Sequence, residues 1–146
     1  MELIVFADTN LFLDAFSNRK PNDLVCIEIL DLAYTKKIKL FTSPSCILTV
    51  MYFLKKDGMS RENVVTVVSH LLVFISLISP EEQTFLNGLF TDFSDLEDAV
   101  QYHTALQIKG VDYFITSNVK DFKKASVRLP VVTPTDFLTG YRKKKI

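Results

Sequence analysis

The sequence predicts an α/β fold: one domain built on an open parallel sheet with helices on both faces. Two observations point there. Short apolar runs alternate with longer amphipathic segments along the whole chain, which is the order that successive β-α-β units impose. The first of those runs, Leu3-Ile4-Val5-Phe6-Ala7, stops at a carboxylate, Asp8, followed by Thr9 and Asn10. In a parallel sheet an acid in that place stands on the rim where ligands bind.

Taken in order, Leu3 to Ala7 reads as a buried strand, and Asp8 as the cap of a helix entered through Leu11 to Phe16. Asp23 to Lys36 reads as a helix and Lys39 to Thr42 as the second strand. Pro44 to Lys56 and Ser60 to Leu72 are helical, with Gly58 punctuating the first and Ser60 capping the second. The run from Val73 to Leu77 fits a strand or the end of the helix before it. Pro80 to Phe90 and Asp95 to Lys109 are helical, the second capped by Asp95 and closed by Gly110. Tyr113 to Thr116 and Pro130 to Thr133 complete the strands, and a short helix begins after Thr133 with Pro134 in its first turn.

Composition narrows the function classes. With 146 residues, 48% hydrophobic and 23% charged, the chain has material for one core and is too rich in apolar side chains for disorder. We expect one domain over residues 1–141 and a basic tail over 142–146. The densest apolar stretch, Val64 to Ile78, is interrupted by Ser69, His70 and Ser76 and falls short of the roughly eighteen residues that a membrane span needs. No secretion pattern opens the sequence, so a cytoplasmic protein is expected. Cys26 and Cys46 lack the paired spacing of zinc or disulfide frameworks and read as reduced core thiols. His70 and His103 have no partner at ligand spacing and read as packing or surface residues.

Seventeen basic and seventeen acidic residues cancel, so no global field draws in a polyanion. Local basic groups are Lys120, Lys123, Lys124 and Arg128, and Arg142-Lys143-Lys144-Lys145 at the end. The twelve phenylalanines are spread through every element, as core material is.

Chemistry concentrates at three separated segments: Asp8-Thr9-Asn10, Asp95-Leu96-Glu97-Asp98, and Thr116-Ser117-Asn118-Val119-Lys120-Asp121-Phe122. Hard divalent cations prefer oxygen ligands, and Mg²⁺ takes only one or two protein carboxylates while keeping waters. Asp8 and Asp98 are the best pair. Asp98 falls in the first turn of its helix, with Tyr102 and Ala105 on the same face, while Glu97 points about 100° away and is the second choice. First-turn acids also complement the helix dipole, and Asp8 can serve as a cap alone, so each has a purely structural reading too. Asn118 and Asp121, three apart, turn toward one opening, and both remain candidates for a third ligand. Asn10 and Thr9 can bond a carboxylate or phosphate. Asp14 is expected to meet solvent or a helix-end lysine.

These segments, in this order and spacing, resemble the PIN domain, especially the VapC-type toxins of bacterial toxin–antitoxin pairs. The likeness runs nearly the length of the chain, to Val131-Val132-Thr133-Pro134-Thr135-Asp136-Phe137-Leu138. It implies a Mg²⁺- or Mn²⁺-dependent ribonuclease in which Asp8 and Asp98 occupy the first and third acidic positions, an antitoxin that blocks the site, and a homodimer. Two positions depart from the pattern: Thr49 stands where the family usually has a glutamate, and Asn118 replaces the fourth acid, with Asp121 a turn further on.

The leading expectation is therefore an RNA endonuclease. Asp8 and Asp98 bind the metal, Asn118 or Asp121 supports it, Asn10 and Thr116 position phosphate or acids, and Lys120, Lys123, Lys124 and the tail hold the RNA backbone. The alternative is a PIN-like module that binds RNA or a partner without cleavage. A phosphoryl-accepting receiver fits badly, because Leu77-Ile78-Ser79-Pro80 and Val132-Thr133-Pro134 lack the aspartate and lysine that such a fold needs. No glycine-rich phosphate loop follows any strand, which disfavours nucleotide-binding folds.

Overall fold

In a computed structural model, which describes residues 2–17, 19–123, 125 and 128–145, five parallel strands form one sheet. They are β1 Leu3–Ala7, β2 Ile38–Thr42, β3 Ser76–Leu77, β4 Tyr113–Ile115 and β5 Val131–Val132, in the spatial order β3-β2-β1-β4-β5. The helices are α1 Thr9–Phe16, α2 Asp23–Tyr34, α3 Pro44–Lys56, α4 Arg61–Phe74, α5 Glu82–Leu89, α6 Leu96–Leu106 and α7 Pro134–Lys145, with a 3-10 turn at Val119–Phe122. No helix among the described residues is long and apolar enough to cross a membrane.

β1 lies at the centre and is buried on both faces, which explains why it reads as an unbroken apolar run. Val5 and Ala7 pack into a core shared with α1, α2, α3 and α7, through Leu11, Phe12, Ile29, Val50 and Phe137. Phe6 points the other way, stacking on Phe114 with ring centroids 5.2 Å apart, in a second core with Tyr102, Ala105 and Phe122. Both cysteines are buried free thiols, each raised above the usual thiol range mainly by burial, Cys26 to about 12.

The chain winds to either side of β1, whose neighbours are β2 and β4, so the sheet's switch point lies at the carboxyl end of β1 beside β4. In register, Ala7 faces Ile115, which sets the next residues, Asp8 and Thr116, side by side. The end of β1 is fastened on both flanks. Thr42 Oγ1 donates to the Ala7 carbonyl at 2.7 Å, and Asp8 N donates to the Ile115 carbonyl at 3.2 Å.

Differences from the sequence reading have local causes. α4 runs on to Phe74, leaving only Ser76 and Leu77 for β3 at the sheet edge, so the ambiguous apolar run is partly helix and partly strand. α7 is longer than expected and reaches Lys145, so the basic cluster is the last part of a helix. Arg142 donates to Glu28 on α2 at 2.5 Å, and Lys144 Nζ lies 3.2 Å from the Tyr113 hydroxyl. Tyr113 opens β4, so these contacts hold the end of α7 at the amino edge of the sheet, opposite Asp8.

α5 approaches α6 closely because Gly88 carries no side chain: a Cβ there would stand 2.9 Å from Val100 Cα. Alanine improves helix propensity by about 1 kcal/mol, but overpacking against backbone costs roughly 1–3 kcal/mol. Gly88→Ala should therefore lower the melting temperature by several degrees in a thermal melt; an equal or higher value would show that α5 can retreat without cost.

Candidate metal centre in an acidic cleft

Asp8 is both helix cap and cleft wall. The sequence turns there from strand to helix, and the carboxylate meets the first free amides of α1: its Oδ1 accepts from Asn10 N at 3.2 Å. Its Oδ2 accepts from Thr116 Oγ1 at 2.5 Å, while Thr116 Oγ1 itself accepts from Asn118 N at 3.1 Å. Thr116 is buried, so this bond fixes the carboxylate from the β4 side.

Asp98 arrives from α6. Asp95 caps that helix by accepting from Asp98 N at 2.9 Å, which places Asp98 in the first turn. One turn further, Gln101 fastens α6 to the start of α3. Ser43 Oγ lies 2.7 Å from Gln101 Oε1, Gln101 Nε2 donates to Ser45 Oγ at 2.7 Å, and Ser43 also caps α3 at Cys46 N. Through this clamp Asp98 joins Asp8 at one opening.

The opening is a cleft of about 260 Å³. Asp8, Thr9, Asn10 and Leu13 line it from the β1–α1 side, Cys46, Thr49 and Phe53 from α3, Glu97, Asp98 and Gln101 from α6, and Arg19 from the α1–α2 connection. Asp8, Asp98 and Asn10 thus meet as the sequence suggests, and Glu97 stands beside them. Asn118 and Asp121 are bonded to each other, the amide donating to the carboxylate, and Asp121 is near enough to perturb Asp98. Lys120 and Lys123 are exposed and do not line the cleft, and Lys124 lies outside the described residues. Thr49 does face the cleft, but its hydroxyl donates to the Ser45 carbonyl of its own helix at 3.0 Å.

Three features were missed in the sequence. Arg19 sits in an irregular connection where no periodicity predicts direction. Gln101 follows Asp98 by three residues on the same helical face, a spacing that could have revealed it. Asp14 is buried near Arg19, where solvent or a helix-end lysine was expected; burial raises its pKa, opposed by the nearby Arg19 guanidinium and by a hydrogen bond with Asn22.

The electrostatics suit a cation. Burial pushes Asp8 from 3.8 to about 6, against the lowering effect of its bonds to Thr116 and Asn10. Asp98 rises to about 7 through burial, then repulsion from Asp95, Asp8, Asp121 and Glu97. Among the described residues no three His, Cys, Asp or Glu side chains converge tightly enough to hold an ion unaided. Two hard carboxylates with mutual repulsion nevertheless fit a Mg²⁺-like ion that completes its shell with water.

Fold and cleft together define a doubly wound α/β domain with an acidic site at its switch point. The PIN domain model matches residues 4–120, and the chain belongs to the PIN domain family. It is 30% identical over 136 residues to Ribonuclease VapC1 of Aquifex aeolicus, covering 91% of this chain and 92% of that protein. Among solved structures it resembles a toxin–antitoxin complex from Klebsiella pneumoniae (24% identity, TM-score 0.65, 89% of this chain and 97% of that one). It also resembles VapBC2 from Rickettsia felis bound to a promoter DNA fragment (18%, TM-score 0.65, 90% and 98%). Mycobacterium tuberculosis VapC20, a toxin that cleaves the sarcin-ricin loop, is similar at 13% identity and TM-score 0.64 over 86% of this chain and 98% of that one.

The raised carboxyl groups make stability depend on pH. Between about pH 4 and 7 the folded protein holds protons that the unfolded chain releases, so metal-free stability falls as pH rises through that window. Asp8→Asn removes the more deeply buried charge and should stabilise the metal-free protein at pH 7.5 by about 1–3 kcal/mol, with little difference at pH 4. Urea melts at the two pH values check this; a variant less stable at pH 7.5 would contradict it.

Proposed function

We propose that the chain is a Mg²⁺- or Mn²⁺-dependent RNA endonuclease, acting as the toxin of a toxin–antitoxin pair. One observation carries the reading: Asp8 and Asp98, ninety residues apart in sequence, line a single cleft at the sheet's switch point. Membership of the PIN family and the likeness to a ribonuclease over nearly the whole chain support the same reaction class.

In this reading Asp8 and Asp98 hold the metal, with Glu97 and the Asn118–Asp121 pair around them. A divalent ion bound there supplies Lewis-acid polarisation of a phosphoryl oxygen and lowers the pKa of water. The chain's own residues provide placement. Thr116 fixes the Asp8 carboxylate and α1 fixes it through Asn10 N, so little reorganisation is needed when charge develops. The Asn10 side chain, on the first turn of α1 and lining the cleft, is a donor for a phosphate oxygen. Lys120 and Lys123, exposed after β4, attract the RNA backbone beyond the cleft. With Thr49 neutral, affinity for the ion is modest and activity depends on its supply. The solved relatives that are toxin–antitoxin complexes support a protein partner for this chain, and we extend the proposal to a homodimer.

Cleavage of a structured RNA with Mn²⁺ tests the reading. The parent should cut, chelation should stop it, and Asp8→Asn and Asp98→Asn should each lose at least about a hundredfold, the loss of an interaction made mainly in the transition state. Equal rates in all three proteins would reject the nuclease. RNA binding with no cleavage and no Mn²⁺-dependent thermal shift in the parent would favour a binding module instead.

A further inference from the structure

The cleft holds one cation among its described lining residues. Arg19 leaves the α1–α2 connection and lines the same cavity as Asp8, Asn10, Glu97 and Asp98. Its backbone amide donates to the Asp14 carbonyl at 3.1 Å. Its guanidinium is near enough to the buried Asp14 carboxylate to favour that group's charged form. The Asp14 carbonyl thus fixes the backbone of Arg19, and the side chain is exposed to the cleft.

A charge count gives this position a purpose. Three acids line the cavity, and one doubly charged ion leaves a negative excess before any substrate arrives. A phosphodiester adds another negative charge. A guanidinium offsets that repulsion and presents a planar fork of donors suited to two phosphate oxygens. Lys120 and Lys123 do not line the cleft, and Arg142 and Lys144 are engaged at the opposite edge of the sheet, so none of them supplies this charge inside the cleft.

Resting on the nuclease reading, we infer that Arg19 is a further substrate-binding residue of this cleft, gripping an RNA backbone phosphate next to the Asp8–Asp98 pair. The guanidinium would meet the phosphate directly and not through the ion, so the contact can be read apart from cleavage, against a metal-free affinity that the uncompensated acids lower for every protein compared.

The test measures binding of a labelled RNA hairpin by fluorescence anisotropy in EDTA at several salt concentrations, and cleavage of the same RNA with Mn²⁺. Proteins compared are the parent, Arg19→Gln, Arg19→Lys, and Lys37→Gln as a control of equal charge change in the exposed connection between α2 and β2. Arg19→Gln should weaken metal-free binding by about tenfold or more, in line with loss of a charge-assisted contact, and flatten the salt dependence by about one counterion. Cleavage should lose through KM more than kcat, while the Mn²⁺-induced thermal shift persists. Arg19→Lys should recover part of the affinity, because it keeps the charge and loses the fork. If Arg19→Gln fails to fold, Arg19→Lys decides alone: a severalfold loss of affinity at parental melting temperature supports the assignment.

Parental affinity in a folded Arg19→Gln, or in Arg19→Lys where that variant decides, would overturn the inference, as would a loss matched by Lys37→Gln. An Arg19 that serves only to hold Asp14, or only to meet a protein partner, would give that parental RNA affinity. A parent that binds RNA through Arg19 but never cleaves it would reject the nuclease and leave the phosphate contact standing.

Discussion

The arrangement rests on one buried carboxylate. Asp8 sits where the central strand ends, in a place too dry for a free charge, and stays there because Thr116 and the start of α1 give it hydrogen bonds. Those bonds exist because the parallel register sets the ends of β1 and β4 side by side. The sheet therefore chooses the orientation of the acid, and the acid joins the sheet to the helix that follows. What remains are two carboxyl groups that burial first, and repulsion among neighbouring acids second, make costly to ionise, as the upward shifts at Asp8 and Asp98 express. A site that is unfavourable when empty gains from any cation it admits.

The second acid is brought in by a different device. Asp98 has no strand to orient it; its place follows from the Asp95 cap and from the Gln101 clamp to Ser43 and Ser45. Below it, Tyr102 donates to the Leu129 carbonyl at 2.8 Å and packs among Phe93, Phe114 and Phe122, so α6 is seated on the sheet by a rigid aromatic layer. Ala105, fully buried, lets the helix lie close. Polar geometry at the cleft is thus inherited from apolar packing one turn away.

This division explains what was legible in the sequence. β1, β2 and β4 could be read because buried parallel strands are continuous apolar runs, and Asp8, Ser60 and Asp95 because capping needs particular side chains at particular places. The convergence of Asp8 with Asp98 followed from fold class, since both lie at element ends facing the switch point. Arg19 and Asp14 were not legible. Their directions depend on an irregular connection and on tertiary burial, neither of which leaves a periodic trace. The basic residues after Tyr141 looked like a solvated tail because charge alone does not reveal Glu28 or Tyr113 waiting on other elements. Likewise Thr49 was known to lack a charge, but only the structure gives its hydroxyl a partner within its own helix.

The most direct measurement of the central claim is Mn²⁺ binding by calorimetry to the parent, to Asp8→Asn, to Asp98→Asn and to the double variant. If the two carboxylates share one ion, each single change should weaken binding by about tenfold or more, and the double change should cost clearly less than the two losses combined, as interacting ligands require. Losses that simply add, or parental affinity in either single variant, would mean that the two acids do not serve a common ion.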